Sequence, residues 1–184
     1  MNLQARVVNI LTRPGIEWPV IAAESSDVPS LYREYIVLLA AIPAVCLFLA
    51  WASFGFSGAL VGGIMSYVST LAAVYIAAVV IEKLAPNFDS HGNTVQALKL
   101  VAYAYTPVWV AGVLHLVPLL SALVILAAFY AVYLFYLGLT PVMKTPPDKI
   151  IPYMIVSAIV VVVVTVCLNF MLVALSGATA MAVI

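Results

Sequence analysis

The chain has 184 residues, of which 66% are hydrophobic and 8% are charged, and its formal net charge is zero. Soluble domains are nearer half apolar and a quarter charged, so this composition indicates an integral membrane protein. The few charges are segregated, and no basic face or nucleic-acid motif is present, which argues against a nucleic-acid partner. We expect an all-α, polytopic membrane protein whose partners are membrane lipids and membrane proteins.

The first predicted element is an amphipathic helix that lies in the membrane surface. In "NLQARVVNILTR" the apolar residues recur at helical spacing, whereas Arg6 and Arg13 fall on the other face. Pro14 ends this helix, and Trp18 is expected at headgroup level as an anchor. We therefore divide the chain into a cytoplasmic or interfacial N-terminal segment, 1–30, and a membrane domain, 31–184.

Five apolar runs follow, and each is long enough to cross a bilayer, for which about 20 residues suffice. Their expected bounds are 36–54, 60–84, 98–116, 119–142 and 151–175. Only a few residues around "HLVP" separate the third run from the fourth. These two spans should therefore form a tight antiparallel hairpin.

The basic residues predict the orientation. All seven lie before the first span or in and beside the second-to-third and fourth-to-fifth loops, which share one side in a five-span chain. The positive-inside rule makes that side cytoplasmic. We expect a multi-pass protein of the inner membrane, with its N-terminus in the cytoplasm and its C-terminus outside.

Polar side chains mark the half of the third span that lies nearer the cytoplasm. In "KLVAYAYTPVWVAGVL", helical spacing gives Lys99, Tyr103 and Thr106 one face, and Pro107 leaves the carbonyl of Tyr103 without its helical donor. With the phenols of the fourth span, the candidate cleft or ligand-binding residues are Lys99, Tyr103, Tyr105, Thr106, Pro107, Tyr133 and Tyr136.

Two interpretations of these residues stay open. The first is a cytoplasm-facing cleft for a lipid headgroup, an ion or a small polar ligand, because polar groups inside a membrane are functional candidates. The second is ordinary packing, in which Lys99 extends to the headgroups and the phenols bond nearby carbonyls.

Catalysis and metal binding have no support in the motifs. No nucleophile motif, phosphate-binding loop or zinc motif is present, so we expect no enzymatic activity, no catalytic residue, no metal and no cofactor. Four titratable residues could serve as metal ligands, although their spacing matches no metal motif: Glu17, Glu24, Asp89 and His91. If the 17–24 segment is helical, Glu17 and Glu24 face the same way. Instead of binding a metal, they could then pair with Arg33 or Lys83.

Small residues recur at four-residue spacing in and beside the first two spans: Ala40 with Ala44, Gly58 with Gly62, and Ala73 with Ala77. This spacing lets helices approach closely. Packing within the chain and a homo-oligomer both fit the pattern.

Four segments carry a family resemblance: "RPGIEWPVIAAE", "EKLAPNF", "ALKLVAYAYTPVWVAGVL" and "YAVYLFYLGLTPVMKTP". In this order they resemble the prokaryotic branch of the Yip family, the Ypt/Rab-interacting membrane proteins. The resemblance implies a five-helix domain with a cytoplasmic N-terminus. Eukaryotic members bind prenylated Rab-type GTPases, but this chain lacks their long N-terminal region and their Asp-Leu-Tyr-Gly-Pro motif; "AYAYTP" is similar to their second, Gly-Tyr-containing motif.

The leading functional hypothesis is a non-enzymatic scaffold or adaptor that organises membrane or membrane proteins through its N-terminal segment and cytoplasmic loops. The alternative is a small transporter, channel or lipid-handling protein that uses a polar cleft between the third and fourth spans.

Overall fold

The computed structural model describes residues 2–181, and the side chains of all of these except residues 118, 165 and 168–181. Within that part of the chain every regular element is helical, as the composition predicted. The helices are α1 (Leu3–Thr12), α2 (Pro14–Ala23), α3 (Val28–Trp51), α4 (Phe56–Phe88), α5 (Thr94–Leu116), α6 (Leu119–Met143) and α7 (Ile150–Met181).

Four of these helices, α3 to α6, are long and apolar enough to cross a membrane. Their positions agree with the first four predicted spans to within a few residues, except that α3 begins earlier. The part of α7 whose side chains are described continuously gives a shorter apolar segment, Ile150–Val164, which is not among the four helices long enough to cross. The multi-pass, all-α fold is therefore confirmed, while the fifth span stays a prediction.

Local sequence sets where the helices begin and end. Asp27 and Ser30 form a reciprocal capping box at the start of α3, and the Asn93 side chain caps α5 by accepting a hydrogen bond from the Gln96 N–H at 2.9 Å. Asp89 and Lys144 adopt the left-handed conformation just after α4 and α6, with φ of 52° and 55°. These conformations stop both helices at the same end of the bundle.

The connections at that end are joined by hydrogen bonds. The His91 N–H donates to the Met143 carbonyl at 2.8 Å, and the Ser90 hydroxyl donates to the Thr145 hydroxyl at 2.9 Å. The ring of Phe88 stacks on that of Tyr153 with centroids 4.8 Å apart, which attaches the start of α7. We call this end, with α1, α2 and segments 89–93 and 144–149, the polar end.

Helix α5 is divided into segments, as its proline predicted. Regular α-helix ends at Ala104 and restarts at Thr106, and the Thr106 hydroxyl donates to the Ala102 carbonyl at 3.3 Å. A 3₁₀ turn, Gly112–Leu116, completes the helix. At Gly112 a Cβ would lie 2.8 Å from the Cα of Pro43, so glycine is what allows α5 to cross α3 this closely.

The N-terminal helices pack onto the bundle. Trp18 of α2 is buried, and its indole lies so close to Gly138 of α6 that a Cβ there would be 2.8 Å from the Trp18 Cζ2. The Tyr130 hydroxyl of α6 donates to the Leu11 carbonyl at 2.8 Å. The expectation that Trp18 anchors at headgroup level is therefore wrong, because its ring fills a gap between α2, α5 and α6.

Candidate functional site

A buried ion-pair cluster joins α1 to α2. Arg6 is 4% exposed, and its guanidinium donates to Glu17 Oε1 at 2.6 Å and to the carboxylate of Glu24. The guanidinium also lies 5.7 Å from the centre of the Tyr103 ring, within the range of a cation–π contact. The expectation that Arg6 falls on the polar face of the helix, opposite its apolar residues, is therefore wrong: Arg6 is buried and its charge is neutralised inside the fold.

Lys99 supplies the second cation of the cluster. It is 2% exposed, and its ammonium donates to the Ile21 carbonyl at 2.9 Å and to the Glu24 carbonyl. These carbonyls belong to the C-terminal end of α2, where a helix leaves acceptors unpaired and its dipole favours a cation. Lys99 thus caps α2 rather than extending to the headgroups.

Next to this cluster, Tyr35 of α3 forms a hydrogen bond with Thr106 of α5 and packs against the ring of Tyr103. The Tyr35 and Thr106 hydroxyls are 2.6 Å apart, and the rings of Tyr35 and Tyr103 lie with centroids 4.4 Å apart. Because the Thr106 hydroxyl donates to the Ala102 carbonyl, it accepts from Tyr35. The break in α5 is thus closed by a tyrosine of α3, which the sequence alone did not indicate.

Tyr35 and Glu34 belong to a π-helical turn, Tyr32–Ile36, within α3. Single π turns are rare in α-helices and are frequent at functional sites. Both residues line a cavity of about 580 Å³ at the polar end. Its remaining lining comes from α1, the 24–26 segment, the first turns of α3 and Tyr103 of α5.

The structure brings together only part of the predicted cleft. Lys99, Tyr103, Thr106 and Pro107 are buried at the interface of α5 with α2 and α3. The others are on the outer surface of the bundle and do not reach this interface, with exposures of 45% for Tyr105, 50% for Tyr133 and 40% for Tyr136. Of the predicted residues only Tyr103 lines the cavity; ligand binding by this set stays a prediction.

The four residues named for a metal fall into two separate places. Glu17 and Glu24 do face the same way, but they pair with Arg6 and not with Arg33 or Lys83. Asp89 and His91 lie exposed on the connection between α4 and α5. Within residues 2–181, no three His, Cys, Asp or Glu side chains come close enough to hold a metal ion.

Sequence reasoning missed Arg6, Tyr35 and Trp18 as parts of this cluster. A signal was present for Arg6, because it stands at i+3 between Leu3 and Ile10, on a helix face that is otherwise apolar. An arginine on an apolar face requires a buried partner. No comparable signal marked Tyr35, whose contact with Thr106 spans 71 residues of sequence.

Comparisons with known proteins agree with the earlier resemblance. A family model described as "Yip1 domain" matches residues 8–168. "Inner membrane protein YohC" of Escherichia coli strain K12 is 30% identical over 151 residues, which cover 73% of this chain and 77% of that protein. The protein of the same name from E. coli O6:H1 strain CFT073 gives the same identity and coverage. No solved structure matches the chain.

Proposed function

We propose that this chain, which belongs to the Yip1 domain family, is a non-enzymatic scaffold that organises other integral proteins of the inner membrane. Its multi-pass membrane character is plain from four spanning helices and from the family match. The scaffold role is supported above all by one observation: buried charges join α1 to α2 and α2 to α5. A surface held rigid in this way loses little conformational entropy when a partner binds.

The outward side of these two helices offers apolar side chains. Val8, Ile16 and Val20 are all exposed, and Ile16 and Val20 share one helix face by their spacing of four. A neighbouring membrane protein at the polar end would meet this face first. The proposal therefore assigns the contact surface to α1 and α2, which is part of the surface that the sequence-based hypothesis named, the N-terminal segment and the cytoplasmic loops.

The arrangement of the third span favours a scaffold over a transporter. Lys99 and Thr106 form their hydrogen bonds with other groups of the protein. Tyr133 and Tyr136 lie on the outer surface of the bundle, away from these two residues. A transport pathway requires polar groups that can face its substrate. The polar residues of α5 serve instead to hold α2 and α3.

The test is photocrosslinking in native membranes, with a photoreactive amino acid placed at Ile16 or Val20 in turn. We expect both positions to give the same discrete product, in clear excess over a control at Phe129, which is exposed on α6. Products that do not differ between α2 and Phe129 would contradict the proposal. A solute or ion flux in liposomes that requires the protein, and that is lost in a folded Lys99→Met variant, would also contradict it.

A further inference from the structure

The cavity at the polar end has the size of a small-molecule site. Its volume of about 580 Å³ falls within the range of roughly 300 to 1,000 Å³ typical of ligand pockets. Leu3 and Leu31 form the apolar part of its lining, while Glu34 and three serines form part of the polar side. A ligand would thus meet apolar and polar walls at the level where α3 leaves the polar end.

The charges of the lining favour a cation. Arg6 is the single basic residue of the cavity wall, and both Glu17 and Glu24 already neutralise its guanidinium. Glu34 forms no ion pair with any residue whose side chain the structure describes. The wall therefore carries one more carboxylate than cations, and a free anion would meet net repulsion.

One hydroxyl group of the cavity wall also lacks a hydrogen-bond partner. The Ser26 hydroxyl is shielded from solvent in the cavity wall, and it has no hydrogen-bond partner in the described part of the chain. A buried hydroxyl without a partner is costly. Ser30 differs from it, because its hydroxyl is already engaged in the capping box with Asp27.

Two aromatic residues also line the cavity. Tyr35 and Tyr103 both belong to its wall, and aromatic rings attract cations, as the contact of Arg6 with Tyr103 shows. The π turn directs Glu34 and Tyr35 to the cavity from adjacent positions of α3. Carboxylate, hydroxyl and ring thus converge from three parts of the chain.

We propose that this cavity binds a primary ammonium group, of the kind carried by the phosphatidylethanolamine headgroup and by soluble amines. An –NH₃⁺ group has three donors and no acceptor, which matches the Glu34 carboxylate, the Ser26 hydroxyl and a carboxylate oxygen of Glu24. A quaternary ammonium has the same charge but no N–H donor. The cavity should therefore prefer primary over quaternary ammonium. This site goes beyond the scaffold role and does not depend on it.

The lipid arm of the test uses the full-length protein in phosphatidylglycerol nanodiscs that contain either phosphatidylethanolamine or phosphatidylcholine. Native mass spectrometry then counts the retained lipids. We expect phosphatidylethanolamine to be retained in preference, and Glu34→Gln to reduce that retention about tenfold, since a charged hydrogen bond is lost. Ser26→Ala should weaken retention less, and Asp148→Asn, the same change of charge on an exposed loop, should not alter it.

The soluble arm measures the thermal stability of the detergent-purified protein with ethylammonium or tetramethylammonium chloride. Stabilisation by ethylammonium alone, lost in Glu34→Gln, without a preference for phosphatidylethanolamine, would assign the site to a soluble amine. Preference in the lipid arm would assign it to a headgroup. Equal binding of primary and quaternary ammonium, or binding unaffected by Glu34→Gln, would overturn the proposal. Because Glu34 is exposed, we expect the Glu34→Gln variant to fold. Gel filtration of the purified variant measures this.

Discussion

Glu24 connects the two cations of the buried cluster through different atoms. Its carboxylate accepts from Arg6, and its main-chain carbonyl accepts from Lys99. The single residue after α2 therefore takes part in two of the contacts that hold the N-terminal helices. Because each cation has its own acceptors, the two contacts can be tested by separate substitutions.

Lys99→Met keeps most of the side-chain volume and removes the ammonium. The Ile21 and Glu24 carbonyls lose a charged donor, so we expect a loss of about 2 kcal/mol of stability, or a Tm lower by about 5 °C. Thermal unfolding in detergent measures it. Lys83→Met is the matched control, since Lys83 is exposed. An equal Tm for the Lys99 variant and the wild type would show that the cap adds nothing.

Arg6→Met leaves two carboxylates near each other without their cation. Removing one partner of a buried ion pair costs about 3 kcal/mol or more, so this variant should be strongly destabilised. Adding Glu17→Gln to it should restore part of the loss, since one unpaired charge is then absent. A double-mutant cycle by thermal unfolding measures the coupling energy between Arg6 and Glu17. Strictly additive effects of the two substitutions would contradict this interaction. Arg13→Met, at an exposed arginine, should change little.

These two residues show why the site could be predicted only in part. The spacing of Lys99, Tyr103 and Thr106 correctly placed them on one buried face, but their partners lie in α2 and α3, at sequence separations of about 70 or more. No local pattern reports such contacts. Tyr133 and Tyr136 were assigned by depth in the membrane alone, and depth does not determine which side of a helix faces its neighbours.

At the scale of elements, the docking of α2 depends on the absence of a side chain in α6. A Cβ at Gly138 would lie 2.6 Å from Leu100 Cδ1 and 2.8 Å from the Trp18 ring, and a tightly packed core tolerates such overlap poorly.

Gly138→Ala should therefore loosen α2 from the bundle. We expect a lower Tm together with faster hydrogen exchange in residues 14–23. The control is Gly58→Ala, because a Cβ at Gly58 meets no atom within 4 Å; it should leave exchange in α2 unchanged. Unaltered exchange in α2 of the Gly138 variant would mean that Trp18 can move aside without cost.

The start of α3 gives an expectation for pH. Hydrogen bonds from the Ser30 side chain and backbone hold the pKa of the Asp27 carboxyl below its ordinary value of 3.8. The ionised cap therefore stabilises the fold above pH 3.8, and this contribution is lost as the pH falls through the lowered pKa.

Asp27→Ala should have a lower Tm than the wild type at neutral pH, with a gap that narrows under acid. Thermal unfolding in detergent from about pH 6 to about pH 3 measures the gap. Asp148→Ala, which removes an exposed loop carboxylate, is the control. A gap that stayed constant down to the lowest pH would contradict a role for the ionised carboxylate.

The elements themselves were largely predictable. Spans are easy to recognise because runs of about 20 apolar residues are typical of membrane-spanning helices. Pro107 predicted the break in α5 because a proline lacks the N–H that a helix needs. The π turn at Tyr32–Ile36 had no such mark. It coincides with the contacts of Tyr35 with Thr106 and Tyr103 of α5, which local sequence does not report.

For the molecule as a whole, charge is concentrated at the polar end, whereas the opposite end of α4 is open and apolar. Gly58 and Gly62 face empty space there, so the small-residue spacing of this part of α4 is not used in packing within the described part of the chain. Homo-oligomerisation through this surface stays a prediction.

The same asymmetry of charge predicts the orientation of the chain, which can be tested. With Cys46 and Cys167 replaced, single cysteines at His91 and at Leu119 would lie at opposite ends of the bundle, both exposed. The positive-inside rule predicts that a membrane-impermeant maleimide labels Leu119→Cys in intact spheroplasts, and His91→Cys only after permeabilisation. The reverse labelling pattern would mean that the topology is inverted.

The fifth span has its own test. An alkaline phosphatase fused after Ile184 should be active if α7 crosses the membrane as a fifth span. An inactive fusion, with the cysteine labelling as expected, would mean that α7 does not cross.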